Sequence, residues 1–167
     1  MRLDEIPSGE KVFIDANIFI YHFTGASEEC REFLKGCSQN KFMAFTSTTI
    51  LAEVCHRLMV VEAVKRGLVQ PKQPALALQK DPAVVKKLSE YYIQITNILG
   101  WGIHIISSHE NIFVKSQIYR QRFGFLTNDS MVPVFMEEAG TANLASADQM
   151  FASISPLKIY SPADLHI

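Results

Sequence analysis

The chain has 167 residues, close to the roughly 150 of one ordinary domain. Apolar residues make up 48% and charged residues 20%. That balance excludes wholesale disorder and removes any need for a disulfide or zinc staple. Sixteen Lys and Arg against 17 Asp and Glu leave a net charge of −1, which excludes a broad basic field. Binding to nucleic acid would have to come from a local patch or from bound cations.

Residues 1–11 are short and polar and carry no signal-peptide pattern, and no apolar run approaches the ~18 residues of a membrane span. Val12-Phe13-Ile14, closed by Asp15, reads as a buried strand. Ile18 to Phe23 forms a short apolar stretch ending at Gly25. Ser27 is placed to cap a helix whose Cys30, Phe33, Leu34 and Cys37 share one face. Phe42 to Thr46 is a second strand. Ser47 or Thr48 then caps a long helix with an apolar stripe of Ile50 or Leu51, Val54, Leu58, Val61 and Val64, stopped by Gly67. Residues 68–82, with Pro71, Pro74 and Pro82, read as a connector or helical excursion and not a domain boundary. Val84/Val85, Leu88, Tyr91/Tyr92, Ile95 and Leu99 predict one amphipathic helix up to Gly100.

Ile103 to Ile106 is a third strand. Ser107 or Ser108 is expected to cap a helix carrying Ile112, Phe113, Tyr119 and Phe123, stopped by Gly124. Thr127 or Asn128 opens a further helix that ends at Gly140. Asn143 to Ser146 is a fourth strand, residues 148–153 a short helix, and Leu157 to Tyr160 a fifth strand. Short apolar strands alternating with helices predict a parallel sheet covered on both faces. In such a sheet the site lies outside the carboxyl ends of the strands.

That edge is where the sequence concentrates acid. Asp15 follows strand 1, Glu53 sits in the second turn of the helix after strand 2, Asp129 begins a helix, and Asp148 lies two residues past strand 4. Taken singly, Asp129 and Asp148 are ordinary helix N-terminal acids, and Glu53 can sit on a solvated face. Asp15, directly after a buried run, needs a partner or a cation. Four clustered carboxylates repel one another, and a hard dication resolves the conflict. Oxygen ligands without His or Cys indicate Mg²⁺ or Mn²⁺, not zinc. The three cysteines, Cys30, Cys37 and Cys55, form no CxxC pair and read as reduced structural thiols, so the expected location is cytoplasmic. No Walker A or GxGxxG loop is present. Phosphatase chemistry of the haloacid dehalogenase type needs a second Asp two residues after the first, and Asn17 stands there.

VFIDANIFIY (12–21), the Glu of STTILAEV (47–54), FLTNDSMV (125–132) and LASADQMF (144–151) resemble, in order, the four acidic motifs of the PIN-domain family. That family comprises metal-dependent ribonucleases and includes the VapC toxins of prokaryotic toxin–antitoxin pairs. The resemblance covers about residues 11–161, and the chain is read as one domain over 1–167. The resemblance implies a three-layer α/β/α sandwich with a parallel five-stranded sheet of order 3-2-1-4-5. It assigns Asp15, Glu53, Asp129 and Asp148 as catalytic and metal-binding residues, with Asn17 and Ser146 in support. It implies Mg²⁺ or Mn²⁺ as cofactor, RNA as substrate, hydrolysis by a metal-activated water leaving 5′-phosphate and 3′-hydroxyl ends, homodimer assembly, and an antitoxin protein as partner of a toxin member. The alternative is a non-catalytic PIN fold that binds RNA or protein. Three features depart from the family pattern: the 68–82 segment, the absence of a basic residue after Asp148, and Pro133, expected to disturb the helix that begins at Asp129. Arg57, Lys65, Arg66, Lys115, Arg120 and Arg122 are candidate phosphate contacts, and Tyr21 and Phe23 candidate stacking surfaces, although such residues are more often solvated or core, respectively.

Overall fold

A computed structural model describes residues 1–165. The last two residues of the domain expected over 1–167 lie outside it. Strands β1 (Lys11–Ile14), β2 (Met43–Ser47), β3 (His104–Ile106), β4 (Asn143–Ala145) and β5 (Lys158–Tyr160) form one parallel sheet of order 3-2-1-4-5. Val12, Phe13 and Ile14 are fully buried, as a central strand covered on both faces requires.

Between β1 and β2 lie α1 (Ala16–Thr24) and α2 (Glu28–Ser38). Between β2 and β3 lie α3 (Thr48–Lys65), α4 (Pro74–Lys80), α5 (Pro82–Val85) and α6 (Glu90–Gly100). The chain returns to β4 through α7 (Glu110–Lys115), α8 (Gln117–Phe123) and α9 (Thr127–Ala139). The chain moves one way from β1 to β3 and back across β1 to β4. Right-handed crossovers therefore put the two helix groups on opposite faces. The direction reverses between β1 and β4, and that switch point opens a crevice at the carboxyl edge.

Local signals explain most elements. Asp15 caps α1 by accepting from the Ala16 amide, and Gly25 closes it with φ of 71°. Ser27 and Ser47 cap α2 and α3, accepting from Cys30 and Ile50. Cys30, Phe33, Leu34 and Cys37 are buried as their spacing predicts. Burial pushes the Cys30 and Cys37 thiols up to about 11 and about 12. Both therefore remain neutral core groups.

Several boundaries differ from the sequence reading. Phe42 precedes β2 and packs on Phe33, with ring centroids 5.4 Å apart. On α3 the apolar stripe drifts: Val61 is exposed, while Glu62 and Ala63 are buried. Ala63 joins Leu78, Val84 and Leu88 in a second, smaller core, formed because the 68–82 segment folds back as α4 onto α3. The single helix expected up to Gly100 is two, α5 and α6, with Tyr92 and Leu99 exposed and Ile98 buried in their place. The helix expected after Ser108 is also two, α7 and α8, and neither Ser107 nor Ser108 caps it. Ser108 instead meets Thr48 and Thr49 at the start of α3. Helix α9 runs uninterrupted from Thr127 through the buried Pro133.

Glu62 accounts for the break before α6. Its carboxylate accepts from the Ser89 and Tyr91 amides at 2.9 and 3.1 Å and pairs with Arg66 at 2.8 Å. Burial opposes its charge, but these donors outweigh it and hold the carboxyl below its ordinary range. Glu62→Ala would strand those amides and the guanidinium. It is expected to lower stability by about 2 kcal/mol, read from urea denaturation midpoints.

No helix among the described residues is long and apolar enough to cross a membrane.

Candidate active site

Phe13 pairs with Leu144 and Ile14 with Ala145, so Asp15 and Ser146 leave the sheet side by side at the switch point. The Asp15 amide donates to the Ala145 carbonyl at 3.0 Å. Asp15 Oδ1 accepts from the Ala16 amide at 2.8 Å. Its Oδ2 accepts from Ser146 Oγ at 2.6 Å and from Asn17 Nδ2 at 2.7 Å.

Asn17 and Ser146 tie the two loops together. Asn17 Oδ1 accepts from the Ala147 amide at 3.0 Å, which fixes the orientation of its side-chain amide. Ser146 Oγ also accepts from the Asp148 amide at 3.0 Å. Asp148 in turn caps the turn Gln149–Ser153 by accepting from the Met150 amide at 2.9 Å. Each member thereby orients the next, and Asp15 is held in one rotamer.

Asp15, Asn17, Glu53, Arg57, Asn128, Asp129 and Asp148 line one cleft of about 110 Å³, with Ala16, Ile20, Ile50 and Val132 as its apolar walls. Pockets that engulf a drug-sized ligand run to ~300–1,000 Å³. This one suits an ion and a phosphate group, leaving the rest of a substrate on the surface.

The electrostatics are those of crowded acid. Burial, partly offset by the bonds from Ser146 and Ala16 and reinforced by the charges of Glu53 and Asp129, pushes the Asp15 carboxyl up to about 6. Asp129 is also raised, by burial first and then by Asp148 and Glu53. Arg57 is the one cation lining the cleft among the described residues.

Among the described residues no three His, Cys, Asp or Glu side chains converge tightly enough to hold an ion as they stand. The chemistry of the donor set nevertheless fits a hard dication: four carboxylates without His or Cys, at least two of them reluctant to ionise in each other's presence.

All six residues expected from the sequence meet at this edge. Arg57 is the sole candidate cation that lines the cleft. Arg66 is engaged by Glu62 and the Lys87 carbonyl, and Arg120 by Ser116, Ser130 and Gln117. Phe23 stacks on Trp101 at 5.7 Å, and Tyr21 packs against the core, so neither lines the cleft. Asn128, which the sequence marks only as a helix start, also lines the cleft beside Asp129.

The architecture matches solved structures along nearly its whole length. VapBC2 from Rickettsia felis bound to a promoter DNA fragment matches with a TM-score of 0.54 and 15% identity, over 91% of this chain and 98% of that one. A toxin–antitoxin complex from Klebsiella pneumoniae matches with a TM-score of 0.52 and 18% identity, over 88% and 95%. The chain has a PIN-like fold. No family model and no curated protein sequence matches it. In this PIN-like fold the cleft occupies the crevice that the strand order creates.

Ser146→Ala would remove a donor to Asp15 and an acceptor for the Asp148 amide. Left without that hydroxyl, the buried Asp15 carboxylate and the Asp148 amide are expected to cost about 1–2 kcal/mol of stability, read from urea denaturation midpoints.

Proposed function

We propose that residues 1–167 form a single nuclease domain that hydrolyses RNA phosphodiester bonds with Mg²⁺ or Mn²⁺. The observation that carries this reading is the gathering of four carboxylates from chain-distant positions at the switch point of a PIN-like sheet, with the Asp15 carboxyl pushed up to about 6.

Asp15, Asp129 and Asp148 would hold the metal, and Glu53 would hold it or position the attacking water. Bound there, a hard dication supplies a water of lowered pKa and neutralises the charge that develops on the phosphodiester oxygens. Ser146 and Asn17 keep Asp15 aimed into the cleft. Arg57 offers a guanidinium for a phosphate oxygen at the cleft wall. In this reading water is the nucleophile, while Ser146 Oγ is committed to Asp15 and to the Asp148 amide.

The matching Klebsiella pneumoniae structure is a toxin–antitoxin complex, which supports an antitoxin partner as part of the same proposal; homodimer assembly enters the proposal from the family resemblance alone. The separation of the acidic side chains as they stand favours a second reading, a non-catalytic module. Titration with MnCl₂ by calorimetry, alongside cleavage of single-stranded RNA with Mn²⁺ and with EDTA, separates the two. The nuclease reading requires binding and metal-dependent cleavage; absence of both leaves the module.

A further inference from the structure

Charge is distributed unevenly along this chain. Residues 57–87 hold seven of its 16 cationic residues and two of its 17 acidic ones, so this stretch is +5 and the remainder −6. Of those two acids, Glu62 is buried against Arg66, and Asp81 caps α5 by accepting from the Ala83 amide. Lys65, Lys72, Lys80, Lys86 and Lys87 are all exposed. Among the described residues none of the five lies within ion-pairing distance of a carboxylate.

The stretch is also a physical unit. Helices α4 and α5 have their own small core against α3, built on Ala63, Leu78, Val84 and Leu88, which gives the lysines a folded base. It joins the cleft through α3. Glu53 and Arg57, one turn apart, line the cleft, while His56 and Met59 line the hollow beneath α4. From Glu53 to Lys65 is twelve residues, about 18 Å of helix.

We infer that residues 65–87 form a basic lobe that binds the phosphate backbone of an RNA strand running out of the acidic cleft past Arg57. The inference rests on the nuclease reading for its direction. It resolves a difficulty in that reading, because an acidic cleft on a chain of net charge −1 offers little general attraction to a polyanion. The lobe supplies that attraction locally, through unpaired lysines whose phosphate contacts release counterions.

The test is fluorescence anisotropy with a labelled oligouridine of roughly 20 nucleotides, in EDTA so that nothing is cut, over a range of NaCl concentrations. For single strands each neutralised phosphate contributes about 0.7 to the salt slope. The triple variant Lys72→Gln, Lys80→Gln, Lys86→Gln should therefore lower the slope by about 2 and the low-salt affinity by about tenfold or more. These side chains are exposed, and a thermal melt confirms that the variant is folded. Equal slopes for variant and wild type, or no RNA binding by wild type, overturn the lobe. So does equally tight binding of a polyglutamate peptide of matched length and charge, which would assign the lobe to an acidic protein segment. Cleavage with Mn²⁺ is scored separately. If wild type cuts RNA and the slopes are equal, the lobe fails and the nuclease stands; if the slope falls but wild type cuts nothing, the reverse holds.

Discussion

Asp15→Asn is expected to lower manganese-dependent cleavage of single-stranded RNA by about 10³-fold or more, the scale on which a principal electrostatic group at a reacting centre acts. Asparagine matches aspartate in shape but offers one acceptor oxygen and no charge. Asp15 uses both oxygens, one toward the Ala16 amide and the other toward Ser146 and Asn17. In the variant an NH₂ group must face at least one of these donors, and the anionic ligand is gone. Asp4→Asn, at an exposed carboxyl far from the cleft, serves as the control and should cleave like wild type. Both proteins are purified identically, so a contaminating nuclease would appear equally in each. Cleavage by Asp15→Asn within about threefold of wild type would remove Asp15 from the site, and the nuclease proposal with it.

The sheet was legible because its signals are local. Val12-Phe13-Ile14 is apolar without a break, as a strand covered on both faces must be, and all three side chains are fully buried. The caps at Ser27 and Ser47 and the stop at Gly25 are written within a few residues of the helix ends they serve. The misread elements depend on groups distant in the chain. The α5–α6 break follows from a carboxylate 27 residues away that satisfies the Ser89 amide, and no periodicity in residues 82–100 announces it. Val61 fits the α3 stripe as well as Val54 does. But α3 outruns the main core there, and the surface that α4 covers is the one bearing Ala63. The site was legible as a set of residue types at strand ends. Asn17 and Ser146 were legible as its supports only through the family resemblance, because spacing and composition do not join residues 129 positions apart. The parallel register that sets β1 beside β4 is what brings them together.

In metal-free buffer the stability of wild type relative to Asp15→Asn should fall by about 3 kcal/mol between about pH 4 and about pH 7. The Asp15 carboxyl is raised from 3.8 to about 6, chiefly by burial. Below the ordinary value it is neutral in both folded and unfolded chains. Between the two values the folded chain keeps a proton that the unfolded chain has released, so stability declines as pH rises. Above about 6 the carboxylate is charged in both states, and its desolvation opposes folding in full. Asparagine carries no titrating proton, and the donor left facing its NH₂ group is a constant offset of about 1 kcal/mol. The slope of the difference therefore belongs to position 15 and to the neighbours it repels. Glu62 and Asp164, whose carboxyls lie below their ordinary range, stabilise in the opposite sense, and they cancel between the two proteins. Added Mn²⁺ should restore wild type at neutral pH, by about 2.7 kcal/mol at a hundredfold excess over the dissociation constant, and leave the variant nearly unmoved. Urea denaturation at each pH, with and without metal, measures all four curves. Parallel pH profiles for the two proteins would show that Asp15 ionises freely, and the crowding of acid would then be no argument for a cation in the cleft.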